Sequence, residues 1–268
     1  MTTTNRDTTR PVRNGLDLSG KHALVTGGGT GLGKSMTAAL AEAGARVTIC
    51  GRRAAPLNAV VAALRADGYD ANAVVADVTQ DADRRRLFVE AQGVDILVNN
   101  AGLSERKRWL DVTIEEWRAI MHLNLEAPFA LAQLFVPPMI LKKWGRVINV
   151  SSIYGLVVGD PALYGNWGID LASYVASKHG LIGLTKHLAV TVGGTGVTVN
   201  ALCPGAFPNT ERNASQARDL IDGFAARTPV KRVGEEDDLR AAIVYLASPG
   251  SSFYTGQSLV VDGGWTIW

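Results

Sequence analysis

The sequence predicts an α/β fold: a single doubly wound domain whose open parallel sheet carries helices on both faces. Short runs of β-branched residues alternate with longer stretches rich in Ala and Leu along the chain. Strands separated by helices of that length pair in parallel, through right-handed crossovers. No Pro/Ser-rich linker and no internal repeat divides the 268 residues, of which 47% are hydrophobic, so we expect one substantial core.

Seven short runs are predicted to be strands because they are rich in branched aliphatic residues. They are residues 22–26, 46–50, 72–76, 95–98, 146–150, 197–202 and 258–261. Seven longer stretches between or after them have helical patterns. They are residues 31–43, 54–66, 81–91, 114–141, 173–192, 214–226 and 235–247.

Several of these helices have recognisable ends. Thr113 followed by Glu116 is a capping box, and the acids at 235–237 suit a helix start. Gly44 and Gly68 can adopt the left-handed conformation that often follows a helix. The predicted boundaries therefore have a physical basis.

Composition limits the partners and the location. Residues 1–19 are predicted to be a flexible tail without the apolar segment of a signal peptide, and residues 20–268 to be the folded domain. The net charge of +2 does not favour nucleic acid or membrane partners, so a small-molecule substrate is expected. Cys50 and Cys203 form no CxxC pair, which favours buried thiols and a cytoplasmic protein.

A glycine-rich loop joins the first predicted strand to the first predicted helix of the domain. Gly27, Gly31 and Gly33, with Leu32, let the backbone turn sharply and present N–H groups and a helix N-terminus to a pyrophosphate. The spacing GxxxGxG differs from the common GxGxxG fingerprint, and a plain tight turn is the alternative. The position between strand and helix favours dinucleotide binding.

Arg52 and Arg53 follow the second predicted strand, where NAD enzymes often place an acid for the ribose hydroxyls. A guanidinium can instead pair with a 2′-phosphate through bidentate hydrogen bonds. The sequence therefore favours NADP(H), with NAD(H) as the alternative. A solvated helix start is the other interpretation of the two arginines.

Tyr174 is the only one of six tyrosines with a basic residue four positions later, Lys178, so a helix puts both on one face. A free phenol keeps its proton at neutral pH, and a nearby ammonium favours the phenolate. Tyr174 is therefore the candidate that gives a proton to, or takes one from, an alcohol/carbonyl pair.

Read together with Asn99-Asn100-Ala101-Gly102 and Pro204-Gly205, these motifs occur in an order that resembles the short-chain dehydrogenase/reductase family from residue 20 to residue 264. The resemblance implies a seven-stranded Rossmann sheet, a homotetramer or homodimer, and NAD(P)-dependent hydride transfer. It also implies a catalytic set of four residues. They are Asn124, Ser152, Tyr174 and Lys178.

The resemblance assigns further residues to the dinucleotide. Besides the glycine loop and the two arginines, they are Asp77, Val78, Asn99, Ala101, Gly102, Tyr174, Lys178, Pro204 and Gly205. By the same likeness, the Ser152 hydroxyl positions the substrate and Asn124 anchors a water that leads from the lysine. Ser151 is the adjacent alternative to Ser152. The four histidines form no metal-binding or triad pattern, and no metal is expected.

The chain departs from the family pattern where the substrate should bind. Ser152 and Tyr174 are farther apart than usual, so residues 155–172 form either a rim loop that contacts substrate or a surface excursion. Thr210 stands one position later than the family threonine. The charged run 105–109 either meets an anionic substrate or is simply solvated. The ending 262–268 resembles family members that act on sugars and sugar acids.

These observations favour an oxidoreductase of carbohydrate metabolism that acts on a secondary alcohol or ketone of a polyhydroxylated molecule. A reductase of 3-oxoacyl groups or other small ketones is the first alternative. A non-catalytic dinucleotide sensor on the same fold is the second, and the joint presence of Ser152, Tyr174 and Lys178 argues against it.

Overall fold

The computed structural model describes residues 11–105, 107–160, 163, 170–208 and 218–267. These residues contain a seven-stranded, fully parallel sheet in the order β3-β2-β1-β4-β5-β6-β7, which confirms the predicted fold class. The strands are β1 His22–Thr26, β2 Arg46–Gly51, β3 Ala71–Val75, β4 Ile96–Asn99, β5 Gly145–Val150, β6 Val197–Pro204 and β7 Ser258–Val261.

Helices connect the strands. They are α1 Val12–Leu16, α2 Gly31–Glu42, α3 Ala54–Ala66, α4 Asp81–Glu90, α5 Ile114–Met121, α6 Ala127–Leu141, α7 Ala172–Thr191, α8 Arg218–Arg227 and α9 Arg240–Ala247. One π-helical turn, His122–Glu126, joins α5 to α6. The helix predicted at 235–247 starts with a 3₁₀ turn, and residues 214–217 of the helix predicted at 214–226 lie outside the described residues.

Each face of the sheet has its own core, because successive strand residues point to opposite faces. In β1, Val25 packs in a cluster that includes side chains of α2, α3 and α9, whereas Leu24 packs in a second cluster with α4, α6 and α7. Every residue of β1 is buried, as expected for a strand covered on both sides.

The predicted helix ends are present. Thr113 and Glu116 form the capping box of α5. Gly44 and Gly68 follow α2 and α3 with φ angles of 101° and 87°, in the left-handed region that suits glycine.

The predicted tail 1–19 needs a correction at its second half. Residues 1–10 lie outside the described residues, but α1 follows directly and Leu18 is fully buried. The Leu18 N–H donates to the carbonyl of Ala43 at 2.8 Å. This contact joins the segment to the end of α2, so the folded part begins before residue 20.

The stretch Ile114–Leu141 is long and apolar enough to cross a membrane by length and composition alone. Apolar core helices satisfy the same criterion. Here Leu131, Phe135 and Met139 of α6 pack against the sheet, and the π turn interrupts the stretch.

The order of strands reverses between β1 and β4, since the chain proceeds from β1 outward through β2 and β3 and then resumes on the other side. Connections leave in opposite directions at this point and open a crevice at the carboxyl ends of the two strands.

Candidate active site

A cleft of about 540 Å³ lies in the crevice between the carboxyl ends of β1 and β4. The structure brings most of the predicted cofactor residues to it. Predicted residues in its lining are Gly27, Gly31, Leu32, Gly33, Arg52, Arg53, Asp77, Val78, Ala101 and Gly102. An adenine dinucleotide fits this lining, because it combines a glycine-rich helix start with two arginines.

The glycine loop has the shape that a pyrophosphate site needs. Gly27 and Gly31 have φ angles of +67° and +52°, and a Cβ on Gly33 would lie 2.2 Å from the Gly27 carbonyl oxygen. α2 begins at Gly31, and Thr30 before it makes no side-chain capping bond. Backbone N–H groups at this helix start are thus free of a side-chain cap, where the helix dipole also favours an anion.

Arg52 and Arg53 are exposed at the end of β2 and border the same cleft. Among the described residues, neither forms an ion pair with a carboxylate. Asp77 and Val78, which follow β3, line the same cleft. Two unpaired guanidinium groups at this edge match the chemistry of a 2′-phosphate.

Asn99 is not in the cleft lining, contrary to the sequence prediction. β4 and β5 pair in parallel with Asn99 opposite Asn149, so both side chains point to the same face of the sheet. The Asn99 amide donates to Asn149 Oδ1 at 2.8 Å inside the protein. The next residue, Asn100, borders the cleft instead and donates to the Thr26 carbonyl at 2.8 Å.

A second pocket of about 290 Å³ continues the cleft toward the predicted catalytic residues. Leu32, Asn100, Gly102 and Leu103 border both spaces. The second pocket is further lined by Ser104, Val150, Ser151, Ser152, Tyr174, Lys178, Pro204, Gly205 and Phe207. The topology therefore places three of the four predicted catalytic side chains, with Pro204 and Gly205, at one end of the dinucleotide cleft.

Tyr174 lies in the first turn of α7, and its phenol interacts with the Ser152 side chain. Burial raises the pKa of the Tyr174 phenol above its usual value, while the interaction with Ser152 lowers it. The phenol therefore keeps its proton at neutral pH in the protein alone, whereas the spacing of Tyr174 and Lys178 predicts an ammonium that favours the phenolate. A protonated phenol is the form that can donate to a carbonyl oxygen.

Ser151 and Ser152 follow β5, and their hydroxyls have different surroundings. Ser151 Oγ donates to the Lys178 carbonyl at 3.1 Å, and its side chain is buried against α7. Ser152 Oγ accepts from the Tyr154 N–H at 3.1 Å and interacts with the Tyr174 phenol. The geometry thus favours Ser152 over Ser151 as the hydroxyl next to the reacting group.

Lys178 lies one turn after Tyr174 and is buried, with its Nζ 5.5 Å from the centre of the tyrosine ring. Nζ donates to the Val150 carbonyl at 2.8 Å. Burial lowers the pKa of this ammonium to about 8. Gly102 packs closely beside it, since a Cβ there would lie 3.6 Å from Nζ and 3.3 Å from Asn124 Oδ1.

Replacing Lys178 by Met is expected to stabilise the fold. Folding lowers the lysine pKa from 10.5 to about 8, which corresponds to a cost of about 3 kcal/mol below pH 8, where the lysine is charged in both the folded and unfolded states. Between pH 8 and 10.5 the folded protein releases this proton first, so the wild type regains stability. Thermal unfolding should show the variant several degrees more stable at pH 7, with a smaller difference near pH 10; equal Tm values at pH 7 would contradict this.

Asn124 lies in the π turn between α5 and α6 and is buried. Its Nδ2 donates to the Leu103 carbonyl at 2.9 Å and to Ser177 Oγ at 3.0 Å, and its Oδ1 accepts from the Leu103 N–H. The side chain thus fastens the loop after β4 to α7. Asn124 lines neither pocket, so it supports the walls of the site and does not contact a molecule bound there.

The extra segment 155–172 is described only in part, since 161–162 and 164–169 lie outside the described residues. Leu163 is buried in a cluster with Tyr174 and Phe224, and Asp160 Oδ2 lies 3.5 Å from Arg227 Nε. The described part of the segment therefore packs against the start of α7 and against α8, next to the second pocket.

The charged run 105–109, Thr210 and the C-terminal residues are the other departures from the family pattern. Lys107 pairs with Glu116 and Arg108 with Asp111 on exposed surface, which favours the solvated interpretation for these two bases. Arg106, Thr210 and Trp268 lie outside the described residues. Trp265 packs against Phe224 with ring centres 5.1 Å apart.

Sequence reasoning missed the roles of two side chains near the site: Phe207, which lines the second pocket, and Glu105, which is buried beside α7. Nothing local in the sequence distinguishes either of them. The part of the chain that the structure describes contains no group of three or more His, Cys, Asp or Glu able to hold a metal.

Comparison with known proteins shows similarity along nearly the whole chain. A family model described as "Enoyl-(Acyl carrier protein) reductase" matches residues 27–266. A galactitol 2-dehydrogenase (L-tagatose-forming) of Cereibacter sphaeroides is 36% identical, over 94% of this chain and 97% of that protein. A 3-oxoacyl-(acyl-carrier-protein) reductase of Staphylococcus epidermidis is 35% identical, over 91% and 98%.

The fold is also similar to that of a solved structure. A gluconate 5-dehydrogenase from Burkholderia cenocepacia, in complex with NADP and tartrate, superimposes with a TM-score of 0.87 at 33% identity. The match covers 96% of this chain and all of that one.

Proposed function

The chain belongs to the short-chain dehydrogenase/reductase family and is an NAD(P)-dependent oxidoreductase, and from that premise we propose that it interconverts a secondary alcohol and a ketone on a polyhydroxylated molecule such as a sugar or sugar acid. The observation that carries the proposal is the pocket at the end of the dinucleotide cleft. Ser152, Tyr174 and Lys178 meet there.

The roles we propose for these residues follow from their contacts. A bound nicotinamide dinucleotide supplies the hydride in reduction and takes it in oxidation. Tyr174 donates its phenolic proton to the carbonyl oxygen in reduction and accepts the hydroxyl proton in oxidation. Ser152, which lies beside Tyr174 in the pocket, stabilises charge on the same oxygen, and the Lys178 ammonium stabilises the phenolate whenever it forms.

Two observations support a polyhydroxylated substrate in carbohydrate metabolism. Ser104 and Asn100 add polar groups to the pocket that contains Ser152, Tyr174 and Lys178 (the catalytic pocket), which hydroxyl-rich molecules can use. Relatives include proteins named for galactitol and gluconate. A 3-oxoacyl reductase is the second candidate, because relatives with that name are almost equally similar.

A substrate panel tests this proposal. Reduced-cofactor absorbance would be followed with polyols and aldonates in the oxidative direction, and with keto-sugars and a 3-oxoacyl thioester in the reductive direction. We expect the highest kcat/KM among the polyols, aldonates and keto-sugars. A clear preference for the thioester would favour the second candidate, and no turnover with any compound would contradict both.

We expect the enzyme to prefer NADP(H), because Arg52 and Arg53 border the cleft without a carboxylate partner among the described residues. The Arg52→Ala/Arg53→Ala double variant should lower kcat/KM with NADPH by roughly 10- to 100-fold, since two charge-assisted contacts are lost. The value with NADH should change little. Arg13→Ala, in the exposed part of α1, is the control. Equal kcat/KM with both cofactors in the wild type would contradict this preference.

Oligomerisation and location are further parts of the proposal. Trp117, Met121, Phe129 and Leu184 line an apolar surface depression on α5, α6 and α7, which supports a homotetramer or homodimer that buries it. Light scattering after gel filtration would contradict this if it showed only monomers. Cys50 and Cys203 are buried free thiols, which supports a cytoplasmic location that cell fractionation can test.

A further inference from the structure

The loop after β4 contains an acid that the structure buries. Lys107 and Arg108 of the run 105–109 are exposed and paired with acids, whereas Glu105 is only 8% exposed. Among the described residues, no Lys, Arg or His lies within ion-pairing distance of its carboxylate. A buried carboxylate needs other hydrogen-bond donors, because moving a charged group out of water without such partners costs free energy.

Those donors are backbone N–H groups at the start of α7. Glu105 Oε1 accepts from the Ser173 N–H at 2.5 Å, and Oε2 accepts from the Tyr174 N–H at 3.1 Å. The two groups belong to the second and third residues of the helix, which have no partner within the helix itself. The helix dipole favours a negative charge at this end.

The residue at the N-cap position, Leu171, has an apolar side chain and cannot supply this cap. Leu171 occupies the capping position with a φ of 57° and makes no side-chain capping bond. A Leu in the left-handed region is unfavourable by itself, so surrounding contacts must hold it there. The cap is supplied by a residue 68 positions earlier in the chain, and it depends entirely on tertiary structure.

The same loop also forms a wall of the catalytic pocket. Leu103 and Ser104 line that pocket, and Leu103 is held by Asn124. Glu105 follows immediately and fixes the helix turn that carries Tyr174. The Glu105 carboxylate thereby links the pocket wall at Leu103 and Ser104 to the helix turn of Tyr174.

We propose that Glu105 is a positioning residue, whose carboxylate caps α7 and sets the Tyr174 hydroxyl relative to Ser152 and the pocket wall. This inference rests on the proposed function, in which Tyr174 transfers the proton. Glu105 lines neither pocket and acts only through the helix. Displacement of a proton donor by about 1 Å can cost roughly 100-fold in rate.

Three variants separate positioning from general stability. Glu105→Ala removes the cap, and Glu105→Gln keeps one acceptor oxygen. Thr113→Ala is the matched control, since it removes the exposed cap of α5, away from both pockets. Both Ala variants should lose a similar few degrees of Tm.

Only Glu105→Ala should then lose kcat, by roughly 10- to 100-fold, with the KM for NADPH unchanged. Glu105→Gln should recover most of this loss. Equal kcat in Glu105→Ala and Thr113→Ala would overturn the proposal, as would a Glu105→Gln variant no better than Glu105→Ala.

Two readouts do not require turnover. Hydrogen exchange of the peptide 171–178 should accelerate in Glu105→Ala but not in Thr113→Ala. The phenol of Tyr174, titrated by absorbance with Tyr174→Phe subtracted, should have a pKa closer to its ordinary value, because burial raises it in the wild type. Unchanged hydrogen exchange and an unchanged phenol titration in Glu105→Ala would overturn the role of Glu105, even if no compound of the substrate panel were turned over. If hydrogen exchange and titration both change but no compound is turned over, the result counts against the proposed function alone.

Discussion

Tyr174→Phe is expected to lower kcat by about 10³- to 10⁴-fold while cofactor affinity stays within about twofold of the wild type. The variant loses only the phenolic oxygen of Tyr174, which lines the catalytic pocket together with Ser152. The ring keeps its packing against Ile153 and Leu163, so the fold is retained. Steady-state kinetics, with NADPH binding followed by fluorescence, measure both quantities.

Tyr245→Phe is the matched control for this experiment. Tyr245 lies in α9 with its ring against Tyr254, outside the linings of the cleft and the catalytic pocket. It should keep normal turnover. A Tyr174→Phe variant with kcat near that of the wild type would refute the proton-transfer role, and the reaction would need another acid.

Gly33→Ala is expected to raise the Kd for the dinucleotide by about 100-fold or more. A Cβ at this position would lie 2.2 Å from the Gly27 carbonyl oxygen and 2.5 Å from Asn100 Nδ2, so the loop must move. Overpacking of this kind costs about 1–3 kcal/mol, and the movement also displaces the N–H groups at the helix start. Isothermal titration with NADP measures the effect.

Gly183→Ala provides the control for a helical glycine. Gly183 lies in α7, and a Cβ there would meet nothing within 4 Å. Alanine is favoured over glycine inside a helix by up to about 1 kcal/mol, so this variant should bind cofactor normally and be slightly more stable. Normal cofactor binding in Gly33→Ala as well would mean that the loop can adapt, and the assignment of Gly33 would fail.

Much of the fold could be predicted because its signals are local. Strand β1 at His22–Thr26 and helix α3 at Ala54–Ala66 begin and end where periodicity places them. The capping box of Thr113 and the positive φ of Gly44 were likewise evident from residue type. Prediction was poorer at residues 11–19, where the buried side chain of Leu18 depends on a contact with a distant helix end.

Candidate residues were predictable where a motif combines residue type with spacing. The phosphate loop, the two arginines and the Tyr174–Lys178 pair all border the pockets. Asn99 does not border either pocket, because the register of β4 against β5 turns its side chain toward Asn149. Spacing along one strand cannot report which face of the sheet that strand presents at its end.

The sequence alone determined the order of strands and helices along the chain, the glycine loop and the Tyr174–Lys178 pair, because each depends on residues that are neighbours along the chain or one helical turn apart. Only the tertiary structure decided that Glu105 caps α7, that Ser152 rather than Ser151 interacts with the phenol of Tyr174, and that burial dominates the pKa of this phenol. The physical reason is that hydrogen bonding and desolvation depend on which distant groups the folded chain brings within a few ångströms.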